Sequence, residues 1–189
     1  MQIDLIRHGE IEGKNTYCGR TDHLLTENGW QQMLDACEDK QHWQVIVTSP
    51  LIRCRKFSQY LAAKLNVPLE IDSRWQEMNF GDWDGLSSLE IMAFDEENLQ
   101  NFWRNPYRHS PTNGESLKIV ENRVLQAWNE LVEADNSVLV IAHGGPIRIV
   151  NCHMQKHPIE RLMEIDVPYA TLKAFSSIPL PLIEKPKST

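Results

Sequence analysis

Short apolar runs alternate along this chain with longer segments in which apolar residues recur every three or four positions. The short runs predict β-strands, because a strand buried on both faces is apolar at nearly every position. The predicted strands are Gln2–Arg7, Gln44–Thr48, Leu69–Asp72, Ser137–Ala142 and Ala170–Phe175.

The longer, periodic segments predict helices. Glu115–Ala134 is the clearest of them, with Leu117, Val120, Val124, Trp128 and Leu131 at helical spacing. Other helices are expected from an N-cap at Thr26 to about Asp39, after Ser49-Pro50 through about Leu65, over Ser88–Arg104, and from near Pro146. Residues 75–86 predict a loop, and the tail from Ile178 is expected to wander over the surface.

Strands that alternate with helices predict an α/β fold, a sheet covered by helices on both faces. In such folds the functional groups gather at the C-terminal ends of the strands, beside helix N-termini. Three predicted strands are followed by polar motifs, namely RHG at Arg7, SPLIRC at Ser49 and HGG at His143. These strand ends are the expected site.

Composition narrows the possible functions. A length of 189 residues suits one domain, residues 1–189. The net charge of -7 argues against a broad nucleic-acid-binding face, which needs massed Lys and Arg. The four cysteines are scattered, as expected of reduced thiols in the cytoplasm. Neither a signal peptide nor a membrane span is predicted.

The motifs at the strand ends carry two arginines and two histidines, Arg7, His8, Arg53 and His143. Guanidinium groups bind phosphoryl oxygens two at a time. A neutral imidazole can attack phosphorus, and a second one can donate a hydrogen bond to the oxygens. The backbone N–H of Gly144, ahead of a helix, adds a dipole of the right sign.

Breaking a phosphomonoester also requires a proton for the leaving oxygen. Glu77, in the predicted loop, is the candidate general acid, although Asp82 and Asp84 lie in the same loop. If His8 must be neutral and Glu77 protonated, the rate falls at low pH as His8 gains a proton and at high pH as Glu77 loses one.

Five motifs occur in the order seen in the histidine phosphatase superfamily, which includes cofactor-dependent phosphoglycerate mutase; they are LIRHGE, TSPLIRC, EMNFGDWDG, GES and IAHGGPIR. The chain resembles this superfamily from about residue 1 to 150. The resemblance implies a three-layer α/β sandwich with a mostly parallel central sheet. It also implies that His8 is the phosphorylated nucleophile, that Arg7, Arg53 and His143 form the phosphate pocket, that Glu77 donates the proton, and that no metal or other cofactor takes part.

A narrower resemblance concerns the substrate. The segment YCGRTDHLLTENG and the compact EMNFGDWDG loop are similar to the alpha-ribazole phosphatase branch, which acts in cobalamin nucleotide-loop assembly. Ile11, Lys14 and Asn15 depart from the family pattern near the expected substrate mouth. Asn15 and Arg20 are candidate substrate contacts, and Arg20 has the alternative of pairing with Asp22.

Other interpretations compete with this one. His8 and His143 could bind a metal with Glu77 or Asp82, although neighbouring arginines repel a divalent cation. The favoured function is hydrolysis of alpha-ribazole 5'-phosphate through phospho-His8. The alternatives are a broad or phosphosugar phosphatase, a mutase, or a phosphate-binding or interaction module with little turnover. The expected partner is a small phosphorylated substrate, with no role for nucleic acid or membrane.

Overall fold

The structure is a computed structural model that describes residues 2–13, 15–40 and 42–183. Five strands form one sheet in the order β3-β2-β4-β1-β5. Their bounds are β1 Ile3–Arg7, β2 Val45–Thr48, β3 Leu69–Ile71, β4 Val138–Ala142 and β5 Leu172–Phe175. Neighbours are parallel except β5, which runs antiparallel to β1. The predicted α/β fold with a mostly parallel central sheet is confirmed.

In the described part of the chain, five α-helices flank the sheet: α1 Glu27–Cys37, α2 Ile52–Leu65, α3 Ser88–Arg104, α4 Leu117–Glu133 and α5 Gly144–Gln155. Three 3-10 turns lie at Ser73–Trp75, Gly81–Trp83 and Ile159–Glu164. As predicted, Thr26 caps α1, where its side chain accepts a hydrogen bond from Gly29 N. No helix in the described ranges is both long and apolar enough to cross a bilayer.

The sheet separates two apolar cores, because successive side chains of a strand point to opposite faces. Leu5 and Val140 face one core with residues of α4 and α5. Ile6 and Ile141 face the other core, with residues of α1 and α2. Burial on both faces explains why the central strands have almost no polar positions.

Two helices begin at other residues than predicted. The helix expected from Glu115 begins at Leu117, because the Ser116 side chain accepts the Ile119 N–H as an N-cap. The helix expected from Pro146 begins at Gly144. N–H groups in a first helical turn have no partner within the helix, so proline is tolerated anywhere in that turn and does not mark its first residue.

Within the described residues, the predicted surface tail is exposed at Ile178 and Leu182 but is anchored between them. Leu180 is buried, and its backbone exchanges two hydrogen bonds with the Asn129 side chain on α4. The Ile178 carbonyl accepts a hydrogen bond from Trp128 Nε1. Only the last residues of the predicted tail, 184–189, lie outside the described part of the chain.

Candidate active site

Three strand ends meet at one edge of the sheet. Arg7, the last residue of β1, pairs with Ala142, the last residue of β4. His8 N donates to the Ala142 carbonyl at 3.0 Å, and Ser49 N donates to the Ile141 carbonyl at 3.1 Å. This parallel register brings the rings of His8 and His143 to 5.2 Å between centroids.

The His8 ring is buried and its tautomer is determined by a backbone contact. Nδ1 lies 2.8 Å from the Gly9 carbonyl oxygen. A carbonyl oxygen only accepts, so Nδ1 carries the proton and the lone pair lies on Nε2. Burial, with the positive charges of Arg53 and Arg7, holds the pKa of His8 well below its ordinary value, against the opposing Gly9 hydrogen bond. A neutral imidazole with its lone pair on Nε2 is the nucleophilic form.

Arg7 forms the wall beside His8 together with Tyr169, a residue that no sequence motif indicated. The Arg7 guanidinium carbon lies 4.2 Å from the centre of the Tyr169 ring, and Nη1 donates to the Val167 carbonyl at 2.6 Å. The Tyr169 ring is also 5.6 Å from that of His8. Arg7 Nε is buried and has no hydrogen-bond partner. An unpaired buried donor is costly unless a ligand completes it.

Arg53 is fully buried at the start of α2, next to His143. Its guanidinium donates to the carbonyl oxygens of Cys18, Gly19 and Thr21, at 2.8 to 3.1 Å. Arg53 Nε lies 3.2 Å from His143 Nδ1. Arg53 therefore holds the 18–21 loop and His143 in place, and its direct contact with phosphate stays a prediction.

His143 is also fully buried, between Arg53 and Ser49. A guanidinium only donates, so His143 Nδ1 accepts, and Nε2 carries the proton that faces Ser49 Oγ at 2.7 Å. Burial and the charge of Arg53 hold the pKa of His143 well below its ordinary value. Both ring nitrogens contact protein atoms, so the hydrogen bond from His143 to phosphate also stays a prediction.

Glu77 lines the same cleft as Arg7 and His8. Its carboxylate accepts the N–H of Met78 at 2.9 Å and the N–H of Gly145 at 3.1 Å. A Cβ atom at Gly145 would overlap Glu77 Oε1, so this approach requires glycine. The helix N-terminus of α5 therefore contacts the site through Gly145, one residue after the predicted Gly144.

The two other acids of this loop have structural partners. Asp82 accepts from Asn113 Nδ2. Asp84 accepts from the backbone N–H groups of Arg20 and Thr21. Neither lines the cleft, which favours Glu77 over both as the group that meets the substrate.

A second missed residue, Arg123 on α4, supports the backbone of the Glu77 segment. It donates to the carbonyl oxygens of Arg74, Gln76 and Glu77, at 2.6, 2.7 and 3.1 Å. Its other hydrogen bonds go to the Glu115 carboxylate at 2.8 and 2.9 Å. All five donors of this guanidinium are thereby used. The GES motif contains Glu115, but its partner Arg123 lies outside every motif.

The predicted rim residues divide into two groups. Asn15 lines the cleft in a left-handed conformation, with φ 66°. Arg20 does not line it, and its guanidinium lies 3.9 Å from Glu115. The acid near the Arg20 guanidinium is thus Glu115 and not the alternative, Asp22, which accepts the first N–H of α2. Lys14 lies outside the described residues.

The metal alternative finds no support in the geometry. Among residues 2–13, 15–40 and 42–183, no three His, Cys, Asp or Glu side chains are arranged to share a metal ion. The groups around His8 are instead cationic, with Arg7 and Arg53 both close enough to lower its pKa. A cationic, partly buried cleft of this kind suits an anionic oxygen ligand.

Comparison with known proteins agrees with this chemistry. The sequence model of the histidine phosphatase superfamily (branch 1) matches residues 3–177. The chain belongs to the histidine phosphatase superfamily. It is therefore an enzyme of this superfamily. The superfamily members that it resembles are phosphatases and mutases that act on small phosphorylated compounds.

Individual relatives within the superfamily have different activities. A glucosyl-3-phosphoglycerate phosphatase of Mycolicibacterium vanbaalenii is 30% identical, over 84% of this chain and 76% of its own. An adenosylcobalamin/alpha-ribazole phosphatase of Escherichia coli is 26% identical, over 94% and 96%. A 2,3-bisphosphoglycerate-dependent phosphoglycerate mutase of Bartonella quintana is 31% identical, over 76% of each.

The protein also shares its fold with solved structures. The alpha-ribazole phosphatase of Shigella flexneri superposes with a TM-score of 0.84, covering 98% of this chain and 96% of its own at 24% identity. At that identity the likeness concerns the fold alone. The superfamily is thus established, and its members leave the substrate of this histidine phosphatase open.

Proposed function

We propose that the protein is a phosphomonoesterase that works through phospho-His8. The observation that carries this is the buried His8, whose contact with the Gly9 carbonyl leaves the lone pair on Nε2, in one cleft with Arg7 and Glu77. Nucleophile, fixed cation and candidate acid are the three groups that phosphoryl transfer to a side chain requires.

The first step makes a phosphohistidine. Nε2 of His8 attacks phosphorus while the bond from phosphorus to the ester oxygen breaks. Glu77, protonated at the start, transfers its proton to that oxygen, and the alcohol leaves. The Arg7 guanidinium, which lines the cleft, is a donor for the phosphoryl oxygens as their charge is redistributed.

The second step regenerates the enzyme. Glu77, now a carboxylate, takes a proton from water as the water oxygen attacks phosphorus. The phosphorus–nitrogen bond breaks, its electron pair returns to Nε2, and phosphate leaves. In this proposal the charge of Arg53 keeps His8 neutral, and Arg53 also holds His143, whose ring centroid lies 5.2 Å from that of His8.

For the substrate we favour alpha-ribazole 5'-phosphate, hydrolysed to alpha-ribazole and phosphate. The support is the Tyr17–Gly29 segment, the compact loop around Glu77, and a relative with that activity that matches over nearly the whole of both chains. Glucosyl-3-phosphoglycerate is the competing substrate, since a phosphatase of that ester is 30% identical.

A mutase is the second candidate, because a phosphoglycerate mutase is 31% identical. A mutase must shield phosphohistidine from water and return the phosphoryl group to its substrate. Phosphate release without a bisphosphorylated primer therefore separates the two activities.

The experiment measures phosphate release, with chelator present, from alpha-ribazole 5'-phosphate, glucosyl-3-phosphoglycerate, 3-phosphoglycerate, sugar phosphates and a chromogenic ester. The enzymes are wild type, His8→Ala, and His109→Ala as a histidine control outside the cleft. We expect alpha-ribazole 5'-phosphate to lead in kcat/KM, and His8→Ala alone to lose activity, by at least about a thousand-fold. Full activity of His8→Ala would refute the mechanism, and a lead for another ester would refute the substrate.

A further inference from the structure

A second cavity adjoins the catalytic cleft and differs from it in chemistry. The two share the wall residues Tyr17, Glu77 and Phe80. The cleft is also lined by Arg7 and His8, whereas the second cavity is otherwise lined mainly by apolar side chains. Those that matter here are Phe102, Leu117, Val120, Leu162 and Met163. Glu77 therefore lines both the cleft that contains the nucleophile and the apolar space.

The in-line geometry of phosphoryl transfer indicates which part of a substrate could occupy the second cavity. In phosphoryl transfer the attacking and leaving atoms lie roughly in line through phosphorus. With Nε2 of His8 attacking, the leaving oxygen points away from His8, toward the acid that protonates it. If that acid is Glu77, the carbon skeleton of the alcohol continues past Glu77, where the second cavity lies.

We infer that this cavity binds the apolar part of the alcohol that the enzyme releases. The inference rests on the proposed function, since it uses Glu77 as the acid and His8 as the nucleophile. The ligand class is an uncharged alkyl or aryl group attached to the phosphorylated alcohol. The aromatic base of alpha-ribazole is one such group.

The charges of the cavity favour an uncharged group over a second anion. Glu77 and Arg148 are its charged wall residues. Arg148 Nε already donates to the Ile165 carbonyl at 2.8 Å. A substrate with a carboxylate near its phosphate, such as a phosphoglycerate, would place that charge near Glu77 with one partly used cation in reach. An apolar group meets no such cost and gains by leaving water.

The size of the cavity limits what enters it completely. It measures about 80 Å³, against roughly 150 Å³ for an apolar cavity that encloses benzene. A short alkyl chain therefore fits inside, whereas a ring enters in part and extends through the mouth. Met163, 51% exposed, lies at that mouth.

The test compares two phosphomonoesters with the same skeleton, 2-methylbutyl phosphate and glycerol 1-phosphate. They differ by two methyl groups in place of two hydroxyl groups. The hydroxyl groups make the leaving oxygen of glycerol 1-phosphate the less basic one, an effect that opposes the expected lead. Each buried methyl group contributes about 0.8 kcal/mol, or about four-fold in kcat/KM. We expect 2-methylbutyl phosphate to lead by about ten-fold or more.

A matched pair of surface variants locates the preference. Met163→Gln makes the mouth polar at nearly unchanged size, and we expect it to reduce the lead several-fold. Leu182→Gln changes a residue of equal exposure, 52%, that does not line the cavity, and should leave the lead unchanged. An equal effect of both variants would contradict the assignment of the cavity.

The outcomes separate this inference from the proposed function. Equal kcat/KM for the two esters, with release that depends on His8, would overturn the inference and leave the phosphatase intact. If neither ester releases phosphate, the ester panel above decides the proposed function, and calorimetry on His8→Asn decides the cavity alone. Binding of 2-methylbutyl phosphate at least ten-fold tighter than glycerol 1-phosphate would support the cavity as an apolar-group site, and equal affinities would overturn it.

Discussion

His8 combines two properties that a solvent-exposed histidine lacks: one tautomer and a suppressed charge. The Gly9 carbonyl orients the proton to Nδ1, and burial beside Arg53 and Arg7 lowers the pKa. Because the pKa is lowered, the neutral nucleophile persists below pH 6.5, the ordinary midpoint of histidine titration. Loss of activity through protonation of His8 should therefore occur well below that pH.

Nitrogen NMR of the histidine rings tests this state directly. We expect the His8 signals, assigned by their absence from His8→Asn, to show a neutral ring protonated at Nδ1 from pH 8 to below 6.5. The pH profile of kcat/KM should keep its acid limb below pH 6.5. An imidazolium at pH 7, or a proton on Nε2, would contradict the assignment.

Gly145 is a second residue that matters for the reaction, because it has no Cβ atom beside the Glu77 carboxylate. A Cβ atom there would overlap Glu77 Oε1 and push the carboxylate from its place. We expect Gly145→Ala to lower kcat by about ten- to a hundred-fold, with a smaller change in KM, because the acid is misplaced while the phosphate site remains.

Gly144→Ala is the matched control for Gly145→Ala. Its Cβ would meet the end of the Arg148 side chain at 2.8 Å, and a flexible side chain can move away. It also keeps the backbone N–H. Equal losses of kcat in the two variants would show that helix distortion, and not displacement of Glu77, causes the effect.

At the scale of elements, α4 positions the loop that carries Glu77. Arg123 reaches from α4 to three carbonyls of residues 74–77, and Glu115 keeps the guanidinium in place. The loop has no regular strand or helix over residues 76–80. Side-chain donors therefore provide the hydrogen bonds that secondary structure would otherwise provide.

Arg123→Lys tests this role, because lysine keeps the charge and loses the five-donor fork. In Arg123→Lys we expect kcat to fall about ten-fold or more while KM stays nearly constant. In Arg123→Met we expect kcat to fall further. The control is Arg74→Met, which removes a half-exposed partner of Asp72 and Glu130 from the same loop region. A rise in KM alone would assign Arg123 to substrate binding instead.

The whole molecule keeps two histidines, His8 and His143, buried and uncharged, and this links its stability to pH. Both have a pKa lowered in the folded state by burial and by Arg53. The unfolded chain then binds more protons than the folded one below pH 6.5. The free energy of unfolding therefore decreases as pH falls through that region, by up to about 1.4 kcal/mol per pH unit for each histidine.

Denaturant unfolding between pH 7.5 and 5 measures this dependence. The free energy of unfolding should fall with pH in wild type, and less steeply in His8→Asn, which removes one of the two groups. A stability that is constant over this range, or that rises toward acid, would show that the buried histidines are not held neutral.

What the sequence determined by itself is the fold class and the strand ends that carry the chemistry. The apolar runs indicated β1, β2 and β4, because burial on both faces leaves a local signal that needs no knowledge of neighbours. Weaker segments indicated the two partly exposed edge strands, β3 and β5. The motifs placed Arg7, His8, Arg53 and His143 at one sheet edge, and the superfamily match bears out the family they suggested. The short segment after Ile178 showed no such periodicity, and its packing on α4 was not predicted.

Only the tertiary structure decided which atoms meet within the site. Tyr169 stacks on Arg7, which lies 162 positions earlier in the sequence. Arg123 donates to the carbonyl of Glu77, which lies 46 positions earlier. The tautomers of His8 and His143, and the apolar cavity beyond Glu77, likewise follow from contacts between distant segments. A local pattern reports whether a side chain is buried, but its partner depends on how helices and loops pack together, and that packing has no local signal.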